Sequence, residues 1–142
     1  MAQAATHTYT RAWTGNPSYQ AYQLLHVAFI IAPVIAGIDK FTRLLVDWDK
    51  YLAPSVARTM PVDGHTFMLA VGVIEIIAGL IVAVLPRIGA YIVALWLWGI
   101  IVNLFLLGGY YDIALRDFGL SLGALALGRL SAADWHSSSP TL

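Results

Sequence analysis

The chain has 142 residues, of which 59% are hydrophobic and 11% charged, a charged share well below the roughly 25% of ordinary soluble domains. Eight Lys plus Arg against eight Asp plus Glu give a formal net charge of zero, so there is no basic excess with which to hold nucleic acid. The absence of cysteine excludes disulfides, thiolate metal sites, Cys-ligated iron–sulfur clusters and thiol redox chemistry.

Residues 1–19 lack the basic start and apolar run of a signal peptide and are expected to form an irregular arm, leaving targeting to the first apolar stretch. A bilayer-spanning helix needs about 20 mostly apolar residues. Residues 21–38 supply the first, uncharged throughout and ended by Asp39 and Lys40. In residues 41–52, Phe41, Leu44, Leu45, Trp48 and Leu52 recur at helical spacing while Arg43, Asp47, Asp49 and Lys50 fall mostly elsewhere. That pattern predicts a short helix lying in the membrane interface, confined by Pro54 and Pro61.

Residues 66–85 form the second expected span, with Glu75 near its middle and Pro86-Arg87 as a stop. Residues 88–109 follow after so short a turn that these two spans must form an antiparallel hairpin. The fourth span, residues 112–130, reaches full length only by taking in Arg116 and Asp117; a re-entrant segment is the alternative. Residues 131–142 form a polar tail. Backbone groups must be satisfied internally in hydrocarbon, so the spans are helices. The expected fold is all-α: an integral membrane four-helix bundle over residues 20–130, with a short interfacial helix between helices 1 and 2.

Charged and amide groups inside spans are costly and therefore informative. His26, Pro33, Gly37 and Lys40 share one face of the first span; Gly72, Glu75 and Gly79 share one in the second. Trp96, Gly99, Asn103 and Tyr110 align in the third, and Asp117, Ser121, Ala124 and Gly128 in the fourth. With flush antiparallel ends, His26 lies about 9 Å and Glu75 about 15 Å from the side bearing the termini, within mutual side-chain reach. The expected result is a polar ladder of His26, Glu75, Asn103 and Asp117 with Arg116. One reading makes it structural glue, with Glu75 protonated or bonded to Asn103 or His26. The other makes His26, Glu75, Asn103, Trp96 and Asp117 a pocket for a quinone headgroup or a proton. No second intramembrane histidine offers a haem ligand pair, and no metal site is expected. His65 reads as a cap or loop residue.

Trp13, Tyr19, Tyr22, Trp48, Tyr51, Tyr110, Tyr111 and Trp135 sit outside or near span ends, as an aromatic belt does, whereas Trp96 and Trp98 lie within the third span on different faces. The count of basic residues favours the connection side (Lys40, Arg43, Lys50, Arg58, Arg116) over the terminal side (Arg11, Arg87, Arg129), which places the termini outside.

The stretch from residue 60 to 98, with Met60-Pro61, GVIEIIAGL, PRIGA and a Trp-bearing span, together with GIDKF and ALRDFGLSLGALALGRL, resembles the DoxX-like family of small four-helix bacterial membrane proteins. The resemblance covers roughly residues 20 to 130. It implies association with a terminal quinol oxidase or with quinone-linked oxidation, cytoplasmic termini, a bacterial inner-membrane location, and Lys40, Glu75, Gly79 and Asp117 as family-pattern positions. His26 departs from the family's early arginine.

The leading expectation is an auxiliary, non-catalytic membrane subunit of a larger electron-transfer assembly, lining a quinone path. It would have no cofactor of its own beyond a bound quinone, and its partners would be lipids and other subunits. The alternatives are a quinone-reactive oxidoreductase subunit using Glu75 and His26 for proton handling, and a small transporter.

Overall fold

The computed structural model describes residues 15–133. Residues 1–14 and 134–142, which hold Arg11, Trp13, Trp135 and most of the expected arm and tail, lie outside the described residues. Among the described residues the chain is all-helical, with no strand. Five α-helices follow in order: α1 (Pro17–Thr42), α2 (Pro54–Ala57), α3 (Gly64–Val84), α4 (Pro86–Leu107) and α5 (Tyr111–Leu130), with a 3₁₀ turn at Trp48–Tyr51 before α2.

Local chemistry sets the boundaries. Pro17 stands in the first turn of α1, where its missing N–H costs nothing, and the Asn16 side chain accepts from the Ser18 N–H at 2.9 Å. The helix therefore starts before the apolar run and takes residues 17–19 from the expected arm. At its other end Arg43 adopts a left-handed conformation (φ 54°) and donates its N–H to the Asp39 carbonyl.

The expected interfacial helix over residues 41–52 is not formed. The Asp39 carboxylate accepts from the Leu44 and Leu45 N–H groups at 2.9 and 3.0 Å, drawing off the amides that a continuing helix would give to carbonyls one turn back. The chain turns, and the segment is completed by the 3₁₀ turn and the one-turn α2, which opens on Pro54. Helical spacing of Phe41, Leu44, Leu45, Trp48 and Leu52 could not reveal a competing carboxylate.

α3 opens on Asp63, whose two oxygens accept from the Thr66 N–H (3.0 Å) and hydroxyl (2.6 Å). A single residue, Leu85, joins it to α4, which begins at Pro86. So tight a hairpin requires Gly89, because a Cβ there would fall 2.5 Å from the Val82 backbone nitrogen. α4 ends on Gly108, whose φ of 78° suits a residue without a Cβ.

α1 packs most extensively on α3, and α4 on α5; α3 and α4 make fewer contacts and α1 and α5 fewer still. Glycines bring α1 and α3 together. A Cβ on Gly37 would meet the Gly72 carbonyl and Ile76, and one on Gly79 would meet Val34 and the Ile30 carbonyl. This sets an antiparallel register in which Lys40 reaches Glu75. Phe29, Val82, Ala90, Val93, Ala124 and Leu127 form one core cluster, and Ile101, Leu104 and Ala114 a second.

Three helices, α1, α3 and α4, are long and apolar enough to cross a membrane. α5 has 20 residues but carries Asp112, Arg116, Asp117 and Arg129, the charges that already set the fourth stretch apart in the sequence. Large apolar side chains such as Leu24, Val84, Leu95 and Leu115 point outward.

Candidate functional site

The candidate site grows from Glu75, midway along α3 and 6% exposed. Gly72 and Gly79, one turn away on either side, let α1 approach, so the carboxylate meets α1 rather than lipid or water. The partner that α1 supplies is Lys40: its Nζ donates to Glu75 Oε2 at 2.5 Å, and both side chains are almost fully buried. The Lys40 ammonium also lies 3.8 Å from the centre of the Trp48 ring, on whose electron-rich face a desolvated cation is stabilised. Trp48 is fixed in turn by its indole N–H, which donates to Asp39 Oδ2 at 2.7 Å. Asp39 thus ends α1, shapes the following turn and orients the ring over Lys40.

On the other flank, the Trp96 indole of α4 and the Asp117 carboxylate of α5 lie close enough to Glu75 to act on it electrostatically. Trp96 Nε1 is nevertheless buried and makes no hydrogen bond of ordinary geometry among the described residues. Asp117 is buried, and its Oδ1 accepts from Arg116 Nε (3.1 Å) and Nη2 (3.0 Å), while the Arg116 side chain is 62% exposed. Its charge therefore reaches a buried carboxylate from an exposed position.

The five residues expected to share a pocket fall into three places. Trp96 and Asp117 lie near enough to Glu75 to act on it electrostatically. His26 is not with them: its Nε2 lies 2.9 Å from the Val82 carbonyl and its ring stacks on Tyr22. Val82 is seven residues from Glu75 on the same helix, about 10 Å along the axis. The flush-end estimate that let His26 and Glu75 meet fails because glycine contacts, not helix ends, fix the register.

Asn103 is also elsewhere. Its Oδ1 accepts from the Ala53 N–H at 2.9 Å and its Nδ2 donates to the Tyr51 carbonyl at 2.6 Å, satisfying the irregular backbone between the 3₁₀ turn and α2. Neither His26 nor Asn103 is the hydrogen-bond partner of Glu75.

The residues that reasoning from spacing passed over are Asp39 and Trp48. A carboxylate next to Lys40 at the end of an apolar run reads as a stop signal, and a tryptophan in a connection reads as belt. Trp98, by contrast, is 45% exposed and meets Phe118 edge-on, consistent with an outward side chain. His65 lies in the first turn of α3, within hydrogen-bonding distance of Arg43 and Asp49.

Among the described residues no group of three or more His, Cys, Asp or Glu is placed to hold a metal ion. A shallow apolar groove runs along the outer side of α1, lined by Ala28, Ile31, Ala32, Ile35, Ala36, Leu45 and Trp48. Comparison of the chain with family models, with curated proteins and with solved structures finds no match.

Proposed function

We propose that this chain is an integral membrane four-helix bundle of the bacterial inner membrane, with α5 as its fourth span, acting as an auxiliary subunit of a larger electron-transfer assembly. The observation that carries the subunit role is the way four polar side chains inside the bundle are matched within the chain. Glu75 is held by Lys40, Asp117 by Arg116, Asn103 by loop backbone and His26 by the Val82 carbonyl. An interior committed to its own partners suits a scaffold. The outward faces are the parts that remain for contact with others, and the α1 groove, where Ala28, Ala32 and Ala36 recur every fourth residue, is where another helix can approach closely. The electron-transfer context rests on the resemblance to DoxX-like proteins. Extraction in mild detergent followed by a native gel should show the chain migrating with subunits that carry haem or another redox cofactor. Migration as a solitary chain overturns the reading.

A second reading is favoured by Glu75 itself, an acid buried midway along an apolar helix. In this reading the chain handles protons for a bound quinone. The position of His26 beside Val82 narrows the proton-handling group to Glu75 with Asp117. Glu75→Gln should then lower quinone-dependent turnover of the assembly without lowering the amount assembled; unchanged turnover removes this reading.

A further inference from the structure

The groove on α1 and the buried ion pair have one residue in common. Trp48 lines the groove beside Leu45, and its ring also lies over the Lys40 ammonium, with 3.8 Å from Nζ to the ring centre. On the α3 side, Lys40 donates to Glu75 Oε2, and an added Cβ on Gly72 would fall 3.1 Å from the Lys40 Cβ. The Lys40 and Glu75 side chains are 2% and 8% exposed, whereas Trp48 is only half-buried. A single indole thus borders both the buried charges and the groove.

Asp39 divides its two oxygens in a way that lets this ring move alone. Oδ1 accepts from the Leu44 and Leu45 N–H groups and from the Thr42 hydroxyl, which fixes the turn after α1. Among the described residues, Oδ2 accepts from the Trp48 indole N–H alone, at 2.7 Å. Turning the indole outward therefore breaks one hydrogen bond, the cation–π contact and an edge contact with Tyr51 at 6.2 Å, and leaves the backbone of the turn held. The groove, lined otherwise by alanines, isoleucines and a leucine, gives the displaced ring an apolar surface to rest on.

We propose that Trp48 is a swinging lid on the Lys40–Glu75 pair, latched by Asp39 Oδ2, and that its opening joins the pair to the α1 groove. Closed, the ring keeps the pair dry and its electron-rich face replaces part of the hydration that Lys40 has lost. Open, the ammonium can take water, and Glu75 comes within reach of proton exchange. Anything seated in the groove fills the space into which the ring turns and so holds the lid shut. Access to the ion pair is thereby coupled to occupancy of the groove. The lid is a property of the chain alone and does not depend on the chain belonging to an assembly.

Lys40 and Lys50 are the only lysines in the chain, so amine acylation reads the lid directly. The full chain in micelles is treated with succinimidyl acetate, and modification of each lysine is followed over time by mass spectrometry. The slowest-exchanging backbone amides of α3 give the rate of global opening. Exposed Lys50 should react fast, and Lys40 far more slowly yet faster than global opening. Trp48→Phe, which keeps a ring but has no latch, should raise the Lys40 rate severalfold. Trp48→Ala should raise it by about tenfold or more, with the Lys50 rate and the melting temperature unchanged. Lys40 reacting as fast as Lys50 in the unaltered chain overturns the proposal, since nothing then covers it. Lys40 reacting only at the rate of global opening in the unaltered chain also overturns it, since the ring is then a fixed wall. If Trp48→Ala fails to fold, Trp48→Phe carries the test, and an unaltered Lys40 rate in that variant overturns the proposal.

Discussion

At the scale of single residues, the energetics centre on Lys40 and Glu75. Two charges taken out of water are tolerable only while each compensates the other, so removing one partner is far more damaging than removing both. Lys40→Met should cost about 3–5 kcal/mol in detergent-solubilised thermal unfolding, and the double change Lys40→Met with Glu75→Leu should recover most of that loss. Asp63 illustrates a milder effect outside the spans. Its carboxyl is held below the usual aspartate range by the hydrogen bonds from the Thr66 hydroxyl and backbone N–H. A carboxyl with a lowered native pKa stabilises fully above its unfolded pKa, and the contribution is lost as pH falls through the lower native value. Helix α3 should therefore loosen at its start in acid below the ordinary carboxylate range. Asp63→Ala should abolish that portion of the acid dependence, as read by backbone amide exchange at residues 64–68.

At the scale of elements, the α1–α3 contact decides which polar groups meet. Gly37→Ala would set a methyl 2.5 Å from the Gly72 carbonyl, a distance only backbone movement can relieve. Gly99 sits on α4 with nothing within 4 Å of an added Cβ. The same substitution at the two sites should thus have opposite signs: Gly37→Ala lowers thermal stability, whereas Gly99→Ala raises it by roughly 0.5–1 kcal/mol through helix propensity. Equal effects at both sites would mean that the helices are not in the register described. The connection between α1 and α3 makes the complementary point. It is irregular, yet Asp39 and Asn103 bond its amides and a carbonyl, so segments flanking the 3₁₀ turn are anchored to α1 and α4.

At the scale of the whole molecule, the outward surface is where the proposed assembly is put at risk. Ala32→Phe would fill the α1 groove from an exposed position outside the core between helices. If α1 seats a partner helix, this variant should accumulate as a folded chain with unchanged melting but should leave the native-gel complex. If the complex persists, the partner lies on another face.

Much of this was legible without coordinates. An all-helical chain with three long apolar helices follows from composition and from apolar runs of spanning length, because hydrocarbon permits little else and because the short connection at Pro86-Arg87 forces an antiparallel hairpin. Glu75 stood out for the same reason: an acid amid twenty apolar residues cannot go unnoticed. What the sequence could not decide was partnership. Periodicity assigns a residue to a face but not to a level against its neighbour, and the level here is set by how closely Gly37, Gly72 and Gly79 let two backbones approach. That register gives Glu75 to Lys40 and leaves His26 to a carbonyl on α3. Only the tertiary structure could likewise turn Asp39 from a stop signal into the group that ends α1, and set the Trp48 ring over Lys40.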